Sequence, residues 1–173
     1  MKKIVMSVPL IIFLIVSFFL YKGLSLEKDT VPSALVGKPF PVFSLPTIEG
    51  NTIITNKKMV GPALVNIWAT WCPSCYDEHT YLNTLSESGV IIYGINYKDD
   101  NKAAIDWLKH MKNPYKLVIS DIEGRLGIDL GVYGAPETFL IDKHGNIVFR
   151  YVGPIDEKIW NEKLKAIYFN LIK

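Results

Sequence analysis

The sequence predicts an α/β sandwich, a mixed central sheet flanked by helices, joined to an N-terminal transmembrane helix. Three observations lead there. Short, nearly continuous apolar runs alternate with helix-period segments over residues 37–173; an uncharged stretch runs from Ile4 to Tyr21; and the two cysteines, Cys72 and Cys75, fall where an apolar run meets a helical segment. At 173 residues the chain is long enough for one domain with appendages. We divide it into a cytoplasmic N-terminus and transmembrane signal-anchor over 1–21, a tether over 22–36 and a globular domain over 37–173.

As a helix, Ile4–Tyr21 reaches ~27 Å, close to the ~30 Å hydrocarbon core of a bilayer. Leu10–Leu20 is apolar apart from Ser17, and Pro9 bends a helix in lipid rather than abolishing it. Lys2 and Lys3 precede the stretch and only Lys22 closely follows it, so the positive-inside rule puts the N-terminus in the cytoplasm and the domain outside. Gly23-Leu24-Ser25 is a poor cleavage site, which favours a retained single-pass anchor over a removed signal peptide.

Within the domain, Phe40–Leu45 and Ile48–Thr55 fold back through Glu49-Gly50-Asn51 as an edge hairpin. Ala63–Trp68 is apolar enough to be a strand covered on both faces. Ser74–Ser88 follows as a helix with Pro73 suited to its first position. Val90–Asn96 is a second buried strand and Asn101–Met111 a second helix, with Ala104, Leu108 and Met111 on one face. Lys116–Ile119 reads as an edge strand and Arg125–Asp129 as a short helix. Glu137–Asp142 and Ile147–Val152 form a hairpin about Lys143-His144-Gly145-Asn146. A last helix starts near Asp156, with Trp160, Leu164, Ile167, Tyr168 and Leu171 on one side. A β-α-β unit followed by a hairpin and a closing helix is the thioredoxin topology.

Composition narrows the function. The chain has 19 basic and 17 acidic side chains, and without Lys2 and Lys3 the two balance. Nucleic-acid binding, which needs a basic surplus, is set aside. Two cysteines exclude a multi-bridge scaffold and a four-cysteine zinc site.

The chemistry lies in Trp71-Cys72-Pro73-Ser74-Cys75. A helix N-terminus lowers a thiol pKa through unpaired N–H groups and the positive dipole end, and Cys72 occupies that place. Cys75, one turn deeper on the same side, can attack a mixed disulfide formed on Cys72. The competing readings are a structural disulfide, unfavoured because so short a loop constrains little of the unfolded chain, and half a zinc site. His79, four residues beyond Cys75, could join both thiols as a third ligand to Cu(I); the alternative is an ordinary, partly exposed helix histidine, and we assign no metal site.

The segments Leu64–Cys75 and Gly131–Asp142, with Gly37–Phe43 and Tyr93–Asp100, resemble the CcmG/DsbE branch of membrane-anchored thioredoxin-like proteins over nearly all of residues 37–153. The resemblance implies a periplasmic thiol:disulfide oxidoreductase of cytochrome c maturation at the inner membrane. Such a protein keeps the haem-attachment cysteines of apocytochrome c, or a partner thiol protein of haem ligation, reduced. Its electrons come from a transmembrane reductase of the DsbD or CcdA type. The redox-active disulfide Cys72–Cys75 would be its only redox group, with no separate cofactor. A Cu(I) chaperone or copper-site reductase using the same cysteines is the alternative.

By the same resemblance Pro136 is a cis-proline facing the disulfide, against the usual trans preference. The backbone of Ala135 would then be free to pair with a substrate strand. Glu78, on the helix face of Cys75, and Glu137 match the family's active-site acids. Negative charge there destabilises the Cys72 thiolate and makes the pair more reducing; the alternative for each glutamate is a solvated surface acid. Trp71 and Tyr133 are candidate substrate contacts. Thioredoxins commonly bury an aspartate six residues before the first cysteine; here that residue is Asn66, which cannot carry a proton, so we assign that task to Glu78 or water.

Overall fold

A computed structural model describes the backbone of residues 2–24 and 34–172, with side chains from residues 9–23 and 34–172. Two compact units divide the chain, Met1–Val31 and Pro32–Lys173. In the first, α1 (Lys2–Leu24) is one continuous helix containing Pro9. Among the described residues, no helix is long and apolar enough to cross a membrane; the expected span, Ile4–Tyr21, begins before the first described side chain. Most of the expected tether, residues 25–33, lies outside the described residues.

In the second unit β1 (Ser44–Pro46) and β2 (Ile53–Thr55) pair antiparallel. Next come β3 (Ala63–Trp68), α2 (Pro73–Glu87), β4 (Ile92–Tyr97), α3 (Asn101–Met111), β5 (Leu117–Asp121) and α4 (Arg125–Asp129). The hairpin of β6 (Glu137–Ile141) and β7 (Ile147–Val152) follows. Then α5 (Glu157–Ile159) continues through a π-helical stretch, Trp160–Leu164, into α6 (Lys165–Ile172). The five-stranded sheet has the order β5-β4-β3-β6-β7, with β3, β4 and β5 parallel and β6 antiparallel to both its neighbours. The expected edge hairpin is a separate two-stranded sheet, tied to β5 through a Thr47–Ile119 bridge.

Every residue of β3 is buried. Because alternate side chains point to opposite faces, the strand feeds two cores, which is why its sequence is nearly continuous in apolar residues. Leu64 and Trp68 pack with Leu140, with Leu82 and Leu85 of α2, with Leu108 of α3 and with Trp160 and Tyr168 near the C-terminus. Val65 and Ile67 pack with Phe139, Phe40, Phe43 and Leu126 on the other face. The expected closing helix is interrupted by the π turn, and Trp160, Leu164 and Tyr168, each four apart, are all buried along it.

Candidate active site

Strand β3 ends at Trp68 and α2 begins at Pro73, so the intervening residues must turn the chain over the C-terminal edge of the sheet. Cys72 is the N-cap of α2, and its Sγ accepts the Cys75 backbone N–H at 3.1 Å. Pro73 sits where a missing N–H costs the helix nothing. Cys72 and Cys75 form a disulfide, their Cα atoms 5.3 Å apart. Cys72 is 5% exposed and Cys75 1%, which makes Cys72 the more accessible residue of the pair and Cys75 the inner one. The N–H donated to Cys72 Sγ is one that would stabilise a thiolate there after reduction.

A carboxylate from the loop after β4 holds this turn. Asp99 Oδ2 accepts the Thr70 N–H at 2.6 Å and Asn96 Nδ2 at 2.8 Å, while its Oδ1 accepts the Thr70 hydroxyl at 2.6 Å and the Asp100 N–H at 2.9 Å. Trp71, half exposed, donates its indole N–H to the Lys98 carbonyl at 3.0 Å. The Thr70–Trp71 step is therefore fixed from outside the helix that carries the cysteines. Sequence reading assigns no role to Asp99, and only the pairing of β3 with β4 brings the two loops together.

Beneath the cysteines lies a buried polar chain. Glu78 is 2% exposed; its Oε1 accepts Asn66 Nδ2 at 2.9 Å and its Oε2 accepts the Ile155 N–H at 2.9 Å. Asn66 also donates to Thr138 Oγ1 at 3.1 Å, and its Oδ1 accepts the Tyr115 hydroxyl at 2.9 Å. Burial pushes the Glu78 carboxyl up to about 7, against the pull of the Ile155 and Asn66 donors. Burial, with Glu78 nearby, also raises the Tyr115 hydroxyl well above its ordinary value. Glu78 is thus no solvated surface acid. It is a carboxyl poised to hold or release a proton near neutral pH, one helical turn from Cys75.

The Ala135–Pro136 peptide is cis, and Ala135 packs against the core cluster that includes Cys72 and Cys75. Glu137, the first residue of β6, lies opposite Ile67 of β3. Its buried carboxylate pairs with Arg150, Oε2 standing 2.6 Å from Nη2 and 2.8 Å from Nε, and its Oε1 accepts the Tyr133 N–H at 3.3 Å. Burial raises the Glu137 carboxyl, while the Arg150 guanidinium and the Tyr133 and Gly134 amides pull it back. Tyr133 is 72% exposed, and its ring lies 5.1 Å from the Arg150 guanidinium carbon.

The structure does not bring the two acids together. Thr138 bonds Asn66 on the face covered by α2, so Glu137, its neighbour along the strand, points to the opposite face with Phe139 and Arg150. The charge expected of Glu137 is offset by its partner there, whereas Glu78 has no cation among its bonded partners. His79 is not the partly exposed helix histidine expected but fully buried, because α2 turns it inward, its Nε2 2.8 Å from the Lys112 carbonyl oxygen and its ring against Trp107. Burial lowers its pKa. Among the described residues no three His, Cys, Asp or Glu side chains are grouped to hold a metal ion. Trp68 is buried between Trp107 and Tyr115, with ring centroids at 4.7 and 5.5 Å.

Comparison with known proteins agrees with this geometry. The Redoxin family matches residues 35–167. The thiol:disulfide interchange protein DsbE of Pseudomonas fluorescens biotype C is 56% identical, the alignment covering 99% of this chain and 97% of the relative. DsbE of Escherichia coli K12 is 45% identical over 97% and 95%. A crystal structure of a thioredoxin-family thiol:disulfide interchange protein from Chlorobium tepidum superposes with a TM-score of 0.61 at 25% identity, covering 81% of this chain and 99% of that one.

Proposed function

The chain belongs to the Redoxin family and, within it, to the DsbE thiol:disulfide interchange proteins, and from that premise we propose that it is the reductant of cytochrome c maturation outside the cytoplasmic membrane. Its activity is thiol–disulfide exchange through Cys72 and Cys75. The observation that carries the reading is the placement of Cys72 as N-cap of α2, its sulfur accepting a helix N–H, with Cys75 bonded to it from one turn deeper.

In the reduced enzyme the Cys72 thiolate attacks one sulfur of a guest disulfide; the other guest sulfur leaves as thiolate and takes a proton. Cys75 then loses its proton and attacks Cys72 Sγ, releasing the second guest thiolate. Two electrons pass to the guest, and Cys72–Cys75 becomes the disulfide. Glu78 is the group we assign to receive the Cys75 proton, in place of the aspartate that Asn66 replaces. Its elevated pKa suits a proton acceptor at neutral pH. Ala135 offers its backbone to the guest strand beside Pro136, and Trp71 and Tyr133 supply exposed aromatic contacts. The guest is apocytochrome c or a thiol protein of haem ligation, and a transmembrane reductase of the DsbD or CcdA type restores the dithiol.

We assign α1 as the membrane anchor, with the catalytic domain on the periplasmic side. This rests on the uncharged stretch Ile4–Tyr21, on Lys2 and Lys3 ahead of it, and on the exposed apolar side chains of Leu10–Leu20. Reporter fusions after residue 36 that are active only in the cytoplasm would refute it.

Cys75→Ala tests the assignment to cytochrome c maturation. The variant should accumulate a covalent adduct on Cys72 whose guest, identified by mass spectrometry, is apocytochrome c or a haem-ligation thiol protein; absence of any such adduct in cells contradicts it.

A further inference from the structure

The geometry points to Arg150 as a positioning residue for protein guests: its guanidinium holds the loop Gly131–Ala135 in the shape a guest strand meets, and so sets how well a protein disulfide is used relative to a small one. This rests on the exchange reading above, in which the Ala135 backbone and the Tyr133 ring face the guest. Arg150 lies on β7 opposite Phe139, and the pleat turns it to the same face as Glu137, two residues back along the partner strand.

From there it reaches the loop at three points. Nη2 donates to the Gly131 carbonyl at 2.8 Å, where the loop starts. The guanidinium carbon lies 5.1 Å from the Tyr133 ring, in the middle. Just past its end, at the start of β6, Nε donates to Glu137 Oε2 and Nη2 ion-pairs with the same oxygen, while the other oxygen of Glu137 takes the Tyr133 amide. The Arg150 side chain is only 9% exposed, so it cannot itself be a broad contact for the guest. What it supports is exposed: Tyr133 stands 72% in solvent. A small disulfide needs only access to Cys72, whereas a strand needs the loop as well.

A lysine keeps the charge but not the planar fork that bonds a carboxylate and a carbonyl together. With Arg150→Lys in the full-length chain, kcat/KM for an oxidised Cys-x-x-Cys-His peptide should fall about tenfold more than kcat/KM for an aromatic small disulfide, with the difference carried by KM. Glu137→Gln/Arg150→Gln, which leaves no charge unpaired in the interior, should show the same selective loss even where Arg150→Gln alone fails to fold. Equal falls on both substrates in these variants, or a loss confined to kcat, would overturn the proposal and leave the exchange reading standing. A wild-type chain that reduces the small disulfide but leaves the peptide oxidised would overturn that reading and this proposal with it.

Discussion

Asn66 of β3 and Glu78 of α2 meet through one hydrogen bond, Nδ2 to Oε1 at 2.9 Å, in a layer where neither side chain is more than 2% exposed. Glu78 thus has an amide as partner where an ion pair would have held it charged, and burial dominates its titration.

The consequence for stability has a definite sign. Glu78 keeps its proton in the fold up to about pH 7 but in the unfolded chain only to about 4.5, so between these values the folded state binds more protons and stability falls as pH rises. At about 1.36 kcal/mol per unit, the loss between pH 5 and pH 8 comes to about 2–3 kcal/mol. Urea unfolding at pH 5 and pH 8 should show that loss in the wild type and not in Glu78→Gln; parallel pH dependence in the two would contradict it.

The same carboxyl should appear in kinetics. In Glu78→Gln, release of a mixed-disulfide mimic from Cys72 by Cys75 should slow by about a hundredfold, the low side of general-base effects, and the inflection near neutral pH should vanish. Unchanged rates from pH 6 to pH 9 would remove the role.

Asp99 supports the turn from outside. Asp99→Ala leaves the Thr70 N–H and hydroxyl and the Asn96 amide without their shared acceptor. Loss of about 1–3 kcal/mol is expected in thermal or urea unfolding, together with faster alkylation of reduced Cys72 as the Thr70–Trp71 step loosens.

Gly94 is fixed by the aromatic layer rather than by its dihedral angles. A Cβ there would come within 2.9 Å of Tyr115 Cγ and 3.0 Å of Trp68 Nε1. Gly94→Ala should cost about 1–3 kcal/mol and change the near-ultraviolet circular dichroism of the Trp107–Trp68–Tyr115 stack.

Local signals made most of this fold legible. Ala63–Trp68, Asn101–Met111, Arg125–Asp129 and Ile147–Val152 match their expected ranges because apolar period, caps and turn residues agree there. The π turn at Trp160 was not legible, since a spacing of four suits a regular helix equally well. In the site, Cys72 and Cys75 follow from one strand–helix junction, and the cis bond before Pro136 follows only from family resemblance. Asp99 needed the β3–β4 pairing to reach Thr70. Arg150 was within reach of reasoning: a hairpin turning at Lys143–Asn146 sets Phe139 opposite Arg150 and leaves Glu137 on the same face. Burial of Glu78 could not be read from helix spacing, because Ile155, which covers it, arrives from the far end of the chain.

Equilibration of the Cys72–Cys75 pair against glutathione buffers measures the direction of electron flow itself. A reductant that holds guest cysteines as thiols requires a potential at or below about −180 mV, toward the range of glutaredoxins and thioredoxin. A value near −120 mV, that of a strong oxidant, would contradict the account.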